Sequence, residues 1–118
     1  MPSPFILVGM SAMVEFEGVK FDFDITDADT FDAVSDFDKE WKSALEKLKT
    51  TPSGDAIREL NGCVKKLLGR ACAGDVHGDI FGNSTSLTKT VRLWTVITNE
   101  VKRQAEEMKR FISEVKFD

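Results

Sequence analysis

The sequence predicts a mainly α fold, with an N-terminal β-hairpin packed on three helices, the last one long. Three observations carry this. Residues 13–25 alternate apolar and polar side chains with the period of a half-buried strand. From Phe31 onward the apolar positions recur at steps of three and four, the helical period. The final stretch, Ser86–Phe117, contains no Gly or Pro. With 118 residues the chain has one domain's worth of core. Residues 13–118 read as a single helical domain with its hairpin. Residues 1–12 read as a flexible arm or an extra edge strand.

In "MVEFEGVKFDFDI", Val14, Phe16, Val19, Phe21, Phe23 and Ile25 are apolar, and Glu15, Glu17, Lys20, Asp22 and Asp24 mostly fall between them. The phase breaks at Glu17-Gly18, which predicts a tight turn between strands at 13–16 and 19–25. A lone hairpin is marginal in water, so it must lie on something. The first helix follows, with Phe31, Val34, Phe37, Trp41, Ala44, Leu45 and Leu48 as its stripe. Thr26, Asp27 and Asp29 are candidate caps, and Lys47 and Lys49 close its last turn as the helix dipole favours. "TTPSGD" then breaks the chain. The second helix, capped by Ser53 or Asp55, has a stripe of Ile57, Leu60, Val64, Leu67, Leu68 and Ala71. Gly62 and Gly69 weaken it by up to about 1 kcal/mol each, which suggests close helix–helix approach. "GDVHGDIFGNSTS" predicts a short turn of helix around Val76–Phe81 between flexible joints.

The last segment marks one face with Leu87, Val91, Trp94, Val101, Ala105, Met108, Ile112 and Val115. Leu93, Val96, Ile97 and Phe111 widen it. As one helix it would be about 45 Å long, beyond what a compact core of this size covers. Either it breaks near Thr98-Asn99, or its end projects and binds something. On the second alternative Trp94, Val101, Met108, Phe111 and Ile112 are the candidate client- or subunit-binding residues. Buried core is the competing reading for the aromatics among them.

Charge and composition narrow the function. The net charge is −4, which argues against nucleic-acid phosphate as the ligand. Residues 1–50 carry eleven acids against five Lys, and residues 51–118 nine acids against eleven bases. That asymmetry means either two solvated faces of opposite sign or a basis for head-to-tail association. The apolar run in "MPSPFILVGMSAMV" has no basic leader and is too short to span a bilayer, so no membrane is expected as a partner. Cys63 and Cys72 are nine apart, about 13.5 Å along a helix, which is too far for a disulfide. Both read as reduced thiols of a cytosolic protein.

No motif for catalysis stands out. "FDFDITDADTFDA", Phe21–Ala33, is dense in Asp, but a calcium loop needs Gly at its sixth position and Glu at its twelfth. Counting from Asp22 gives Asp27 and Ala33 there; counting from Asp24 also fails at the sixth position, Asp29. Strand and helix geometry explains the acids as wet faces joined through a cap. Cys63, Cys72 and His77 lack the spacing of a zinc site, and nothing in the sequence orients a Cys–His pair. There is no phosphate loop, dinucleotide fingerprint, HExxH or GxSxG. The chain therefore reads as a protein-binding molecule, not an enzyme, with no catalytic residue, metal or cofactor. An acidic face could also mimic a nucleic-acid backbone and block a basic groove.

"FEGVKFDFDITDADT", Phe16–Thr30, resembles the opening of small proteins encoded in the tail modules of long-tailed phages of Gram-positive hosts. There a short hairpin of this pattern is followed at once by a helix, in the position of "TFDAVSDFDKEWKSALEKL". "DIFGNSTSLTKTVRLWTVITNEV", Asp79–Val101, resembles the Phe-Gly element before their last helix. Residues 1–11 have no counterpart, and the last helix lacks the acidic aromatic character of the pattern. The resemblance implies a tail-assembly-chaperone-like role in the host cytoplasm. It also implies the tape-measure protein or another tail protein as client, and homo-oligomerisation. The alternatives are a small acidic inhibitor of a basic host protein and a structural tail or connector component.

Overall fold

The computed structural model describes residues 12–115. Strands β1 (Met13–Phe16) and β2 (Val19–Asp22) form an antiparallel hairpin, followed by helices α1 (Ala28–Thr50), α2 (Gly54–Ala71), α3 (Val76–Phe81) and α4 (Leu87–Glu114). The predicted class is the observed one, and the predicted short turn of helix is α3. The arm expected over 1–12 lies, Ala12 apart, outside the described residues.

The hairpin pairs Met13 with Asp22, Val14 with Phe21, Glu15 with Lys20 and Phe16 with Val19. Its two-residue turn has positive φ at both Glu17 (49°) and Gly18 (84°), as a right-twisted hairpin requires. Glu17 is an uncommon residue at such a φ. Its carboxylate takes Lys89 at 3.4 Å and Arg92 at 3.1 Å, which ties the turn to α4. Val14, Phe16 and Phe21, with Phe23 and Ile25 beyond, all face inward.

The expected strand to residue 25 ends at Asp22, and α4 supplies the reason. Phe23 N–H still donates to the Ala12 carbonyl at 2.8 Å. Past that point the buried Gln104 side chain takes over. Ile25 N–H donates to Gln104 Oε1 at 2.9 Å, and Gln104 Nε2 donates to the Phe23 carbonyl at 2.6 Å. A primary amide offers one acceptor and one donor, as a neighbouring strand residue would. The helix thus takes, on the β1 side of Phe23 and Ile25, the place of a paired strand residue.

The Asp-rich stretch becomes turn, cap and helix. Asp24 Oδ1 accepts from Thr26 N–H at 2.9 Å and from its hydroxyl at 2.6 Å. Asp27 caps α1 by accepting from Thr30 N–H at 3.1 Å. Helices α1 and α2 form an antiparallel hairpin across Thr51–Ser53, with Ser53 capping α2. Three exposed ion pairs rung this hairpin: Lys47–Glu59, Lys66–Glu40 and Arg70–Asp36. Such pairs contribute about 0–1 kcal/mol each, so the buried stripe between the helices dominates. On α1 that stripe is Ala33, Phe37, Trp41 and Ala44, with Val34, Leu45 and Leu48 half-buried. Phe31, expected in the stripe, is instead exposed, because Thr30 and Ala33 take the inward positions of the first turns. A Cβ built on Gly62 or Gly69 meets nothing within 4 Å. The close helix approach suggested for them is therefore absent.

The core sits where the hairpin, α2 and α4 meet, with Phe23, Leu60, Val64 and Leu93 fully buried. Two buried polar chains cross it. One is the Gln104 clamp. The other runs from His77 Nε2 to Asn61 Oδ1 at 2.7 Å, from Asn61 Nδ2 to Thr90 Oγ1 at 2.8 Å, and from that hydroxyl to the Ser86 carbonyl at 2.7 Å. Every buried side-chain polar atom among the described residues finds a partner. The described body measures 56 × 28 × 19 Å. Helix α4 does not break at Thr98-Asn99; it runs unbroken for 28 residues, about 42 Å.

Candidate protein-binding surface

One apolar stripe follows α4 from end to end, and apart from Val91, 38% exposed near its start, its burial fades along the way. Thr90, Leu93, Ile97 and Gln104 are buried. Trp94, Val96, Val101, Ala105 and Met108 are half-buried against the core. Phe111 is 41% exposed, Ile112 60% and Val115 40%. The helical period keeps Val101, Ala105, Met108, Ile112 and Val115 on one line, with Phe111 beside it. The Gln104 clamp is the last point at which α4 is held by the hairpin through hydrogen bonds. Beyond it the core covers the stripe only in part, at Ala105 and Met108, and past Met108 its apolar residues are exposed.

The five residues predicted as an interface thus divide. Phe111 and Ile112 are exposed, and Val101 and Met108 are half-buried on the same line. Trp94 lies apart from them. Its ring stacks flat on Trp41, 5.3 Å between centroids and 2° between planes, and Phe37 packs on Trp41 in turn at 5.6 Å. The stack joins α1 to α4 inside the molecule. Sequence reasoning also missed Gln104 and Asn61. The available signal was a polar residue at an apolar position: Gln104 falls between Val101 and Met108 on the stripe, and Asn61 between Leu60 and Val64.

The surroundings of the stripe are charged. Glu100 holds Arg103 at 2.5 Å and accepts from Gln104 Nε2 at 2.6 Å. Burial works against its charge, but the bonds from Arg103 and Gln104 outweigh it and keep the carboxyl below its ordinary range. Arg110 pairs with Glu107 at 3.7 Å.

The thiols and the histidine are engaged separately. Cys72 Sγ–H donates to the Asp22 carbonyl at 3.1 Å, and burial, with Asp22 nearby, pushes its pKa to about 11. Burial, then Glu40 and Glu59, also raises Cys63, whose thiol donates to the Glu59 carbonyl. Both thiols therefore stay protonated at neutral pH, the unreactive form. His77 stacks on Phe81 with 4.7 Å between ring centroids, and its Nε2 is committed to Asn61. Burial and Lys65 lower its pKa against the pull of Asp75. Among the described residues no three His, Cys, Asp or Glu side chains gather to hold a metal ion. No helix is long and apolar enough to cross a membrane. A cleft of about 670 Å³ between the end of α1 and the start of α2 is shallow and lined by Ser43, Lys47, Ser53 and Glu59 among others.

A family model matches residues 17–117, that of a family of unknown function, DUF6673. No curated protein and no solved structure matches the chain.

Proposed function

The chain belongs to family DUF6673, and we propose that it is a non-catalytic protein-binding molecule of phage tail assembly. In this reading it holds an aggregation-prone client, the tape-measure protein, soluble until tail subunits assemble around it. The observation that carries the binding role is the stripe of α4, continuous with the core at Val101 and Met108 and exposed at Phe111, Ile112 and Val115. An amphipathic helix presenting anchors at i, i+3, i+4 and i+7 is a recurrent way to hold another helix. Three apolar residues exposed together at one end of a helix are a mark of interaction. The choice of client rests on the resemblance of Phe16–Thr30 to tail-module proteins.

The test is co-expression of the tagged protein with a tape-measure protein from the same genome, followed by size exclusion with light scattering. The proposal expects a large co-eluting complex with the tape measure kept soluble. A small species that leaves the tape measure insoluble would overturn it. The acidic-inhibitor reading would then gain weight, supported by seven Asp and no Lys or Arg between Asp22 and Asp38.

A further inference from the structure

We infer that, in the protein alone, the exposed end of α4 is covered by the first turns of α1 from a second copy. The stripe of α4 has one basic edge. Lys109 stands one turn from Ile112 and Lys102 one turn from Ala105, so both ammonium groups run along the same side of the apolar line. Both side chains are exposed, and neither forms an ion pair among the described residues. A matching segment therefore needs an apolar anchor set among acids.

The start of α1 has that chemistry. Phe31 is 47% exposed although its period placed it in the core. Helical spacing sets Asp38, seven residues after it and paired with the exposed Lys42 at 3.1 Å, along its line, with Asp32 on the flank. Within one chain Phe31 and Ile112 are both exposed, so they do not cover each other. Pairing two α4 ends antiparallel would set the Lys102–Lys109 edge of one copy against the same edge of the other, a like-charge contact. The contact between α1 and α4 sets opposite charges together instead.

Such a contact joins two different surfaces, so a pair of copies keeps one free surface of each kind. It grows head to tail into a chain, or closes into a ring. The apolar area is small, so the association is weak and screened by salt. The inference deepens the proposed function, because a client would compete for the same stripe, yet its test needs no client. Failure here would leave the co-expression result standing, and the reverse holds as well.

The experiment is sedimentation velocity of the purified full chain over a concentration series at about 0.15 M salt. The mean mass should rise with concentration and fall back in high salt. Phe31→Ala, Lys102→Glu with Lys109→Glu, and Asp32→Lys with Asp38→Lys should each weaken association by about tenfold or more. Circular dichroism and melting temperature should stay close to those of the parent, since every altered side chain is exposed. Mixing the two charge-reversed proteins should restore association, because each then supplies the sign the other lacks. A parent that stays monomeric throughout would overturn the inference, with residues 1–11 or a client left as the occupant. So would variants that associate like the parent, or a mixture that stays as dissociated as its parts.

Discussion

The first half of α4 and its last three turns carry the same apolar period, yet one is core and the other surface. Leu93 is wholly buried among the hairpin and α2, and Ile112, farther along the same helix, is 60% exposed. The boundary is Gln104, whose amide closes the backbone of Phe23 and Ile25. Before it, every apolar residue of the helix except Val91, which is 38% exposed, is buried or half-buried against the core. After it only Ala105 and Met108 still pack on the core, and Phe111, Ile112 and Val115 are exposed. Periodicity specifies which side of a helix shuns water, not which molecule covers it.

That comparison is broken most severely at the core end. Leu93→Ala should lower the unfolding free energy by about 2–5 kcal/mol, whereas Ile112→Ala should change it by no more than about 0.5 kcal/mol. Urea titrations of the two variants make the check. Similar losses would mean that the end of α4 is covered in the monomer.

The boundary itself comes next. Gln104→Leu keeps the bulk but leaves the Phe23 carbonyl and the Ile25 N–H buried without partners. It should cost at least about 2 kcal/mol, at about 1–3 kcal/mol for each buried group orphaned. If the hairpin is held mainly by its apolar face, the loss would instead be small, and the clamp would not be what fixes α4 to it.

Much of this architecture was readable in the residues. The turn at Glu17-Gly18, the switch from period two to helical period, and the Gly-bounded α3 each have a local chemical cause. The short β2 was not readable, because a side chain 79 residues away from Ile25 ends it. Phe31 misled the period count for a related reason: a small residue, Ala33, and the capped Thr30 fit against the core where a Phe ring would not. Of the candidate interface, Phe111 and Ile112 were legible from helix length alone. Trp94 was not separable from them, since its stacking partner Trp41 lies on a different helix.

A smaller effect tests the α1–α2 face. Gly62 has open space around its Cβ position, so Gly62→Ala should stabilise the fold by about 0.5–1 kcal/mol, read as a raised melting temperature. Destabilisation would mean that the helices approach more closely than the structure has them.

The smallest effect is a pH dependence. Burial, followed by Lys65, lowers the pKa of His77 from its ordinary 6.5. The unfolded chain therefore takes up a proton more readily than the folded one. Stability is full above about pH 6.5 and is lost as pH falls through that value towards the folded pKa. His77→Gln should flatten the pH dependence of the melting temperature between about pH 5 and 7. An unchanged slope would assign it to other groups.

The central claim is that α4 beyond Gln104 is a binding surface left open by its own fold. Hydrogen exchange on dilute protein, with and without the tape-measure protein, tests it most directly. The amides of Leu93–Gln104 should be protected nearly to the level of global unfolding, and those from Met108 to Glu114 should exchange far faster. Adding the tape measure should slow the second group alone. Equal protection along the whole helix in the dilute protein, or no slowing on addition, would contradict the account.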